Sequence, residues 1–257
     1  MSAYEIYIAY MTIVRKEIKR FMRIWVQTLV PPSITMVLYF IIFGNLIGSR
    51  IGTMGGFDYM QFIVPGLIMM SVITNSYGNV VSSFYSTKYQ GSVEEMLVSP
   101  TPNWVILAGY VTGGMVRGLA VGAMVTTLSM FFTQLEIHNL GIIILVVLMT
   151  SILFSLGGFI NAVYANSFDD ISIIPTFVLT PLTYLGGVFY SIDLLPDFWA
   201  GVSQLNPILY MVNAFRYGIL GVSDIAVGYA LLVISAFIIG LFSFCMHLLN
   251  TGKGIRK

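Results

Sequence analysis

Five stretches of this chain, 24–49, 59–87, 139–168, 171–192 and 225–252, contain no Asp, Glu, Lys or Arg, and a sixth, 96–135, is interrupted only by Arg117. A helix needs ~20 apolar residues to cross the hydrocarbon layer of a bilayer, so every one of these stretches can hold a span. Of the 257 residues, 57% are hydrophobic and 9% charged, against about 25% charged in soluble domains. A soluble globular domain is excluded. The reading is an all-α integral membrane protein, a single transmembrane domain over 1–257, with six spans at 24–48, 60–84, 104–132, 139–163, 171–190 and 227–249. Pro100, Pro102 and Asn103 place the start of the third span near Trp104.

Lys and Arg collect in cytoplasmic loops and so give the orientation. With both termini inside, the cytoplasmic side holds Arg15, Lys16, Lys19, Arg20, Arg23, Lys88, Lys253, Arg256 and Lys257, and the outside only Arg50 and Arg216. A seventh span over 199–223 would throw the basic C-terminus outside and bury Arg216, so none is assigned there. The first apolar stretch comes late, is long enough to span and has no small-residue cleavage site after it, so it is expected to stay attached as the first helix. Cys245 is the only cysteine and lies inside the last span, which leaves no intramolecular disulfide and no cysteine metal cluster.

Ahead of the first span, Tyr7, Met11, Val14, Ile18 and Phe21 recur at helical spacing while Lys16, Lys19, Arg20 and Arg23 gather on another face. This predicts an amphipathic helix over 4–23. Its basic face would either meet anionic headgroups in the interface or serve as a plain positive-inside anchor. Pro31, Pro32, Pro175 and Pro181 fall inside spans, where each removes a backbone donor and kinks the helix. In the third span Gly114, Gly118 and Gly122 make a smooth stripe that admits close approach of another helix, in the same chain or a second copy.

The segment Leu179–Arg216 is apolar yet poorly built to cross a membrane. Pro196 and Pro207 break it, Asp193 and Asp197 charge it, and Arg216 ends it. Irregular backbone at membrane depth persists only beside protein or a water-filled cavity, so 191–224 is expected to dip in, turn and return as short gate helices facing outward. Pro196 beside Asp197, and Asn206 before Pro207, read as starts of two such helices. Tyr184, Phe189, Tyr190, Phe198 and Trp199 supply aromatic surface suited to a constriction or to sugar stacking, or else to an interfacial belt.

Within this segment Leu179, Leu182 and Leu185 step by threes into Gly186 and Val188; Leu195 and Pro196 follow, then Pro207, Ile208, Tyr210 and Arg216. That order resembles the signature of the ABC-2 family, the membrane subunits of a class of ABC exporters, and the likeness extends along the whole chain. The resemblance implies a permease that works as two copies with two copies of a separate cytosolic ATPase. ATP and Mg2+ would be bound by that partner, with no cofactor on this chain. Membrane lipids are the other expected partner and nucleic acid is not one.

Between the second and third spans, Ser92 stands three residues before Glu95 in a capping-box pattern, and Pro100 closes the short helix that follows. By the resemblance, this 86–102 region is the coupling helix that docks on the ATPase, with Ser92, Glu94, Glu95, Met96 and Leu97 as its contact residues.

Arg117 is the one fully charged residue well inside a span, and such residues face a bundle interior or cavity and have partners. The partners expected for it are Asp169, Asp170 or Glu94. Asp169 and Asp170 suit the start of the fifth span, where acids meet free amides. A Mg2+-diphosphate role would need a second acidic cluster on the same side, and the sequence has none.

No GxxxxGK[ST] loop occurs, so this chain does not itself use ATP. The expected function is therefore the membrane subunit of an ATP-driven exporter in a bacterial inner membrane. Polysaccharide, lipid-linked oligosaccharide, lipid or drug are all open as substrate. An ion-coupled secondary transporter is the alternative, but the spans hold no Asp or Glu. A membrane-embedded enzyme is the third reading; His138 and His247 fall near opposite faces and no HExxH is present.

Overall fold

The computed structural model describes residues 1–255, the side chain of Asn45 excepted; Arg256 and Lys257, counted above with the basic C-terminus, lie outside the described residues. The described residues are all-α apart from one small hairpin. Helix α1 (Ala3–Arg23) precedes α2 (Trp25–Ile51), then the two-residue strands β1 (Thr53–Met54) and β2 (Phe57–Asp58). There follow α3 (Tyr59–Tyr89), α4 (Ser92–Val98), α5 (Asn103–Ser129), α6 (Leu140–Tyr164), α7 (Asp170–Leu185), α8 (Asp197–Gln204), α9 (Pro207–Leu220) and α10 (Val227–Thr251). The strands pair antiparallel across Gly55 and Gly56, whose φ of 61° and 86° is the left-handed geometry that a two-residue hairpin turn requires.

The bundle has two ends, one carrying the hairpin and the other α4. Helix α3 runs between them through the centre, packed chiefly on α5 and α6 and also on α9, and is buried along most of its length. At 1.5 Å per residue it is about 46 Å long, enough to project from both faces of a ~30 Å hydrocarbon layer. In contrast, α2 and α10 leave most of their surface exposed, as suits helices facing lipid or another chain.

Among the described residues five helices are long and apolar enough to cross a membrane: α2, α3, α5, α6 and α10. The span expected at 171–190 is a shorter helix, Asp170–Leu185. Pro175 opens a π-helical stretch to Leu179, where Thr180 Oγ1 donates to the Pro175 carbonyl at 2.9 Å. Gly186 then caps the helix and Gly187, at φ 70°, turns the chain away. The first span is also not one regular helix, because its second half, Phe40–Ile47, is π-helical. Pro31 and Pro32 sit inside it.

The glycine stripe of α5 serves packing within the chain. A Cβ on Gly114 or Gly118 would strike Ser155 or Ser76, and one on Gly122 would lie 2.7 Å from Val72 Cγ2. The stripe extends toward the α4 end, where Gly109 and Gly113 take Ile13 and Glu17 of α1.

That contact changes the expectation for α1. Arg20 turns inward, and Lys16, though half exposed, reaches a buried partner. Arg20 donates to the carbonyl and side-chain oxygens of Asn79, both at 2.8 Å, and Lys16 donates to the Tyr110 hydroxyl at 3.1 Å. Between them lies Glu17, fully buried, accepting from Ser83 Oγ at 2.6 Å and pairing with Lys16 at 3.7 Å and Arg20 at 3.5 Å. Glu17→Ala is expected to destabilise the protein by about 1.5 kcal/mol, since charge-assisted hydrogen bonds are worth roughly that much, and Glu17→Gln by clearly less. Unfolding midpoints in detergent decide this; equal midpoints for the two variants would mean that the carboxylate charge contributes nothing.

Candidate functional site

After α7, the segment from Gly187 to the end of α9 enters the bundle and leaves it at the same end, the one that carries the hairpin. After Gly187 the chain lies against α3, where Gly66 is in contact with Val188, and the Tyr59 hydroxyl donates to the Phe189 carbonyl at 3.2 Å. A 3-10 turn, Ile192–Leu194, follows at the hairpin end. Helix α8 then leads inward to Asn206, whose Nδ2 donates to the Leu182 carbonyl and whose Oδ1 caps α9 through Ile208 N at 3.0 Å. Helix α9 climbs back until Gly218 meets Asn139 and Ile143. The loop closes where Asp224 accepts from Ile192 N at 3.1 Å, while Asn213 Oδ1 accepts from Asp224 N at 3.0 Å. At ~1.5 Å per residue α9 rises only about 21 Å, too short to cross a bilayer unaided.

The signature residues are the fasteners of this loop. Pro196 holds the N-cap position of α8 and Pro207 the first position of α9. Half-buried Leu185 ends α7, and Gly186 is so close to Ile208 that a Cβ would approach its Cγ2 to 2.7 Å. Tyr210 donates to the Gln204 carbonyl at 2.6 Å, bracing α8 against α9. Arg216, expected on the outer surface, is instead fully buried. Its Nη2 donates to the Gly187 carbonyl at 2.6 Å, its Nε to the Phe62 carbonyl at 3.4 Å, and the guanidinium lies 3.9 Å from the centre of the Phe62 ring. The segment folds as short helices, so burying this arginine does not require a seventh span.

The aromatic residues divide. Tyr184 stacks on Phe189 with centroids 5.7 Å apart, and Tyr39 and Phe43 of α2 complete that cluster at 6.0 and 4.8 Å from Phe189. Trp199 stands apart, exposed, with its edge toward Phe198. Tyr190 is half-buried and belongs to neither group.

At the opposite end α4 sits on the body by one face. Val93 is buried, Met96 and Leu97 pack on the core, and Glu94, Glu95 and Val98 are exposed. The capping box expected of Ser92 and Glu95 does not form. Gly91, at φ 77°, occupies the N-cap, and Glu94 N donates to its carbonyl at 3.2 Å, so Ser92 is already helical. A capping box does form at the start of α1, between Ser2 and Glu5.

The expected pairing of Arg117 with Asp169, Asp170 or Glu94 is also absent. Arg117 Nη2 donates to Asn75 Oδ1 at 3.2 Å, and among the described residues the ion pairs are those of Glu17. The reason is distance along the helix, since Arg117 lies about 21 Å from the Asn103 end of α5. Asp170 accepts from the backbone of Asn166 and Ser167 at 2.8 and 3.2 Å and so caps the turn before α7; Asp169 has no side-chain cap bond.

One polar feature escapes a reading by charge. Thr74, Asn75, Asn79, Ser82 and Ser83 follow one another down α3 toward α4, and the last three meet Arg20 or Glu17. The only signal is the run TNSYGNVVSS inside a span.

Residues 8–220 match the family described as ABC-2 type transporter. The chain is 60% identical over 251 residues, 98% of both chains, to "Inner membrane transport permease YadH" of Escherichia coli K12 and equally to that of Shigella flexneri. It is 22% identical over 186 residues, 72% of this chain and 71% of the other, to "Nodulation protein J" of Rhizobium leguminosarum bv. trifolii. A bundle of apolar helices, a signature segment folded as one braced loop and a match over most of its length agree: this multi-pass membrane protein belongs to the ABC-2 type transporter family of permeases.

Proposed function

We propose that this permease is the membrane subunit of an ATP-driven exporter in the bacterial inner membrane, working as a pair of copies with two copies of a separate ATPase that binds ATP and Mg2+. In this reading the α4 end is the cytoplasmic one, since Lys88 and Lys253 lie there, while Arg50 lies at the hairpin end. The observation that carries the reading is the placement of α4. Held by Val93, Met96 and Leu97, it presents Glu94, Glu95 and Val98 away from the bundle, where a cytosolic partner can grip them. Partner closure would pull on α4, and through α3 on the loop that Arg216 fastens. The substrate class spans polysaccharides, lipid-linked oligosaccharides, lipids and drugs.

Co-expression with an ATPase encoded beside it, capture through this chain, and ATP hydrolysis by the reconstituted complex test the proposal. Wild type is expected to form a stable complex, and Glu94→Ala with Glu95→Ala to lower its hydrolysis several-fold with the fold unchanged. If no ATPase is retained and solute moves under an ion gradient alone, the secondary-transporter reading replaces this one.

A further inference from the structure

Arg117 lies near the middle of α5, and Asn75 near the middle of α3. The guanidinium is therefore close to the centre of the bilayer, where a charged side chain persists only with a partner or a polar cavity. It borders a pocket of about 340 Å3 between α2, α3 and α5, in the size range of ligand sites. The pocket opens outward past exposed Gln27 and Thr74.

The walls set the chemistry. Thr28, Ser71 and Thr74 spend their hydroxyl protons on the backbone carbonyls of Ile24, Leu67 and Met70, one turn before them. The Gln27 amide and the Thr35 hydroxyl bond no other group among the described residues. Arg117 Nε is buried and unpartnered, and Asn75, by accepting from Nη2, fixes the guanidinium plane. Among the described residues no carboxylate lines the pocket. The next charge along α3 is a second cation, Arg20, held at Asn79 one turn from Asn75. The opposite wall is apolar, formed by Pro31, Pro32 and Met36.

We infer that this pocket binds a phosphate ester headgroup carried on an apolar tail, with Arg117 as the anchoring cation and Asn75 as its positioning residue. A planar guanidinium matches two phosphate oxygens at once, Gln27 and Thr35 add donors, and the tail lies along the apolar wall and out between α2 and α3. Binding of this kind requires neither ATP nor the ATPase, so its failure and that of the exporter reading are separately visible.

The test is thermal unfolding of the purified full chain in detergent, titrated with short-chain phosphatidic acid, with phosphatidylcholine of the same chains, and with inorganic phosphate. Wild type is expected to gain stability from phosphatidic acid and not from phosphatidylcholine. Arg117→Leu should weaken the apparent affinity by about tenfold or more, the worth of one charge-assisted contact, and Arg117→Lys should retain part of it. Arg117→Gln provides the reading if the leucine variant does not purify. The surface variant Lys19→Ala with Arg23→Ala should respond as wild type does. An Arg117-dependent response to inorganic phosphate as well places recognition in the phosphate group; a response to the lipid alone adds the tail as a requirement. No phosphate-specific stabilisation, or equal stabilisation of wild type and the Arg117 variants, overturns the inference, as does a response lost in the Lys19/Arg23 variant instead.

Discussion

Arg216→Ala is expected to destabilise the protein by about 3–5 kcal/mol, enough to cost most of the monodisperse yield. Hydrogen bonds from a charged donor contribute roughly 1.5–3 kcal/mol, and Arg216 donates to the carbonyls of both Gly187 and Phe62. Truncating a fully buried long side chain adds a cavity cost of about 2–5 kcal/mol, part of which overlaps with the first. Arg216→Met separates the two effects, because it fills the space but leaves the Gly187 carbonyl unmet; it should fall between wild type and alanine. Arg216→Lys should also fall short of wild type, since one ammonium on a single stem cannot reproduce the guanidinium fork over the Phe62 ring. Unfolding midpoints of the detergent-purified variants give the order. A methionine variant more stable than wild type would show that this buried cation is kept for transport at a cost to the fold.

Much of the architecture was readable because membrane helices declare themselves by length and by missing charge. Among the described residues α2, α3, α5, α6 and α10 are long and apolar enough to cross a membrane. What could not be read arises where tertiary contact reverses a local signal. Glu17 sits within a basic, amphipathic stretch and looks solvated; only the glycines at 109 and 113 let α1 come close enough to bury it. Arg216 looked like a surface charge because its acceptors, at Phe62 and Gly187, are backbone carbonyls that carry no sequence signature. The fifth stretch reads as a full crossing because Gly186 and Gly187 are apolar by composition, although together they end the helix. At Ser92 the pattern was right and the cap wrong, since Gly91 reaches left-handed geometry at no steric cost and starts the helix one residue earlier. For Arg117 the distance from the end of α5 follows from helical rise alone and excludes the acids of the turns.

Gly66→Val should unseat the signature loop while leaving the bundle folded. A Cβ at Gly66 would stand 2.6 Å from the Val188 carbonyl oxygen and 2.8 Å from its Cα, and both are backbone atoms that no rotamer change can move. The turn cannot retreat by itself either. Gly187 on one side is tied to Arg216, and Phe189 on the other accepts from Tyr59, which α3 carries less than two helical turns before Gly66. Relief therefore requires the whole 186–190 turn to lift from α3, which breaks those two bonds and disturbs the aromatic cluster around Phe189. Overpacking of this kind costs ~1–3 kcal/mol, and the backbone contact puts Gly66→Val at the upper end. On the proposed function, the functional consequence exceeds the loss of stability: an ATPase complex should still assemble at α4 and hydrolyse ATP, but hydrolysis should no longer respond to substrate, because the turn would no longer be seated on α3. Gly78→Ala is the matched control, lying on the same helix with nothing within 4 Å of its Cβ, and it should be neutral or stabilising by up to about 1 kcal/mol. If Gly66→Val behaves like Gly78→Ala in both unfolding midpoint and substrate response, then the seat of the loop on α3 has no part in transport.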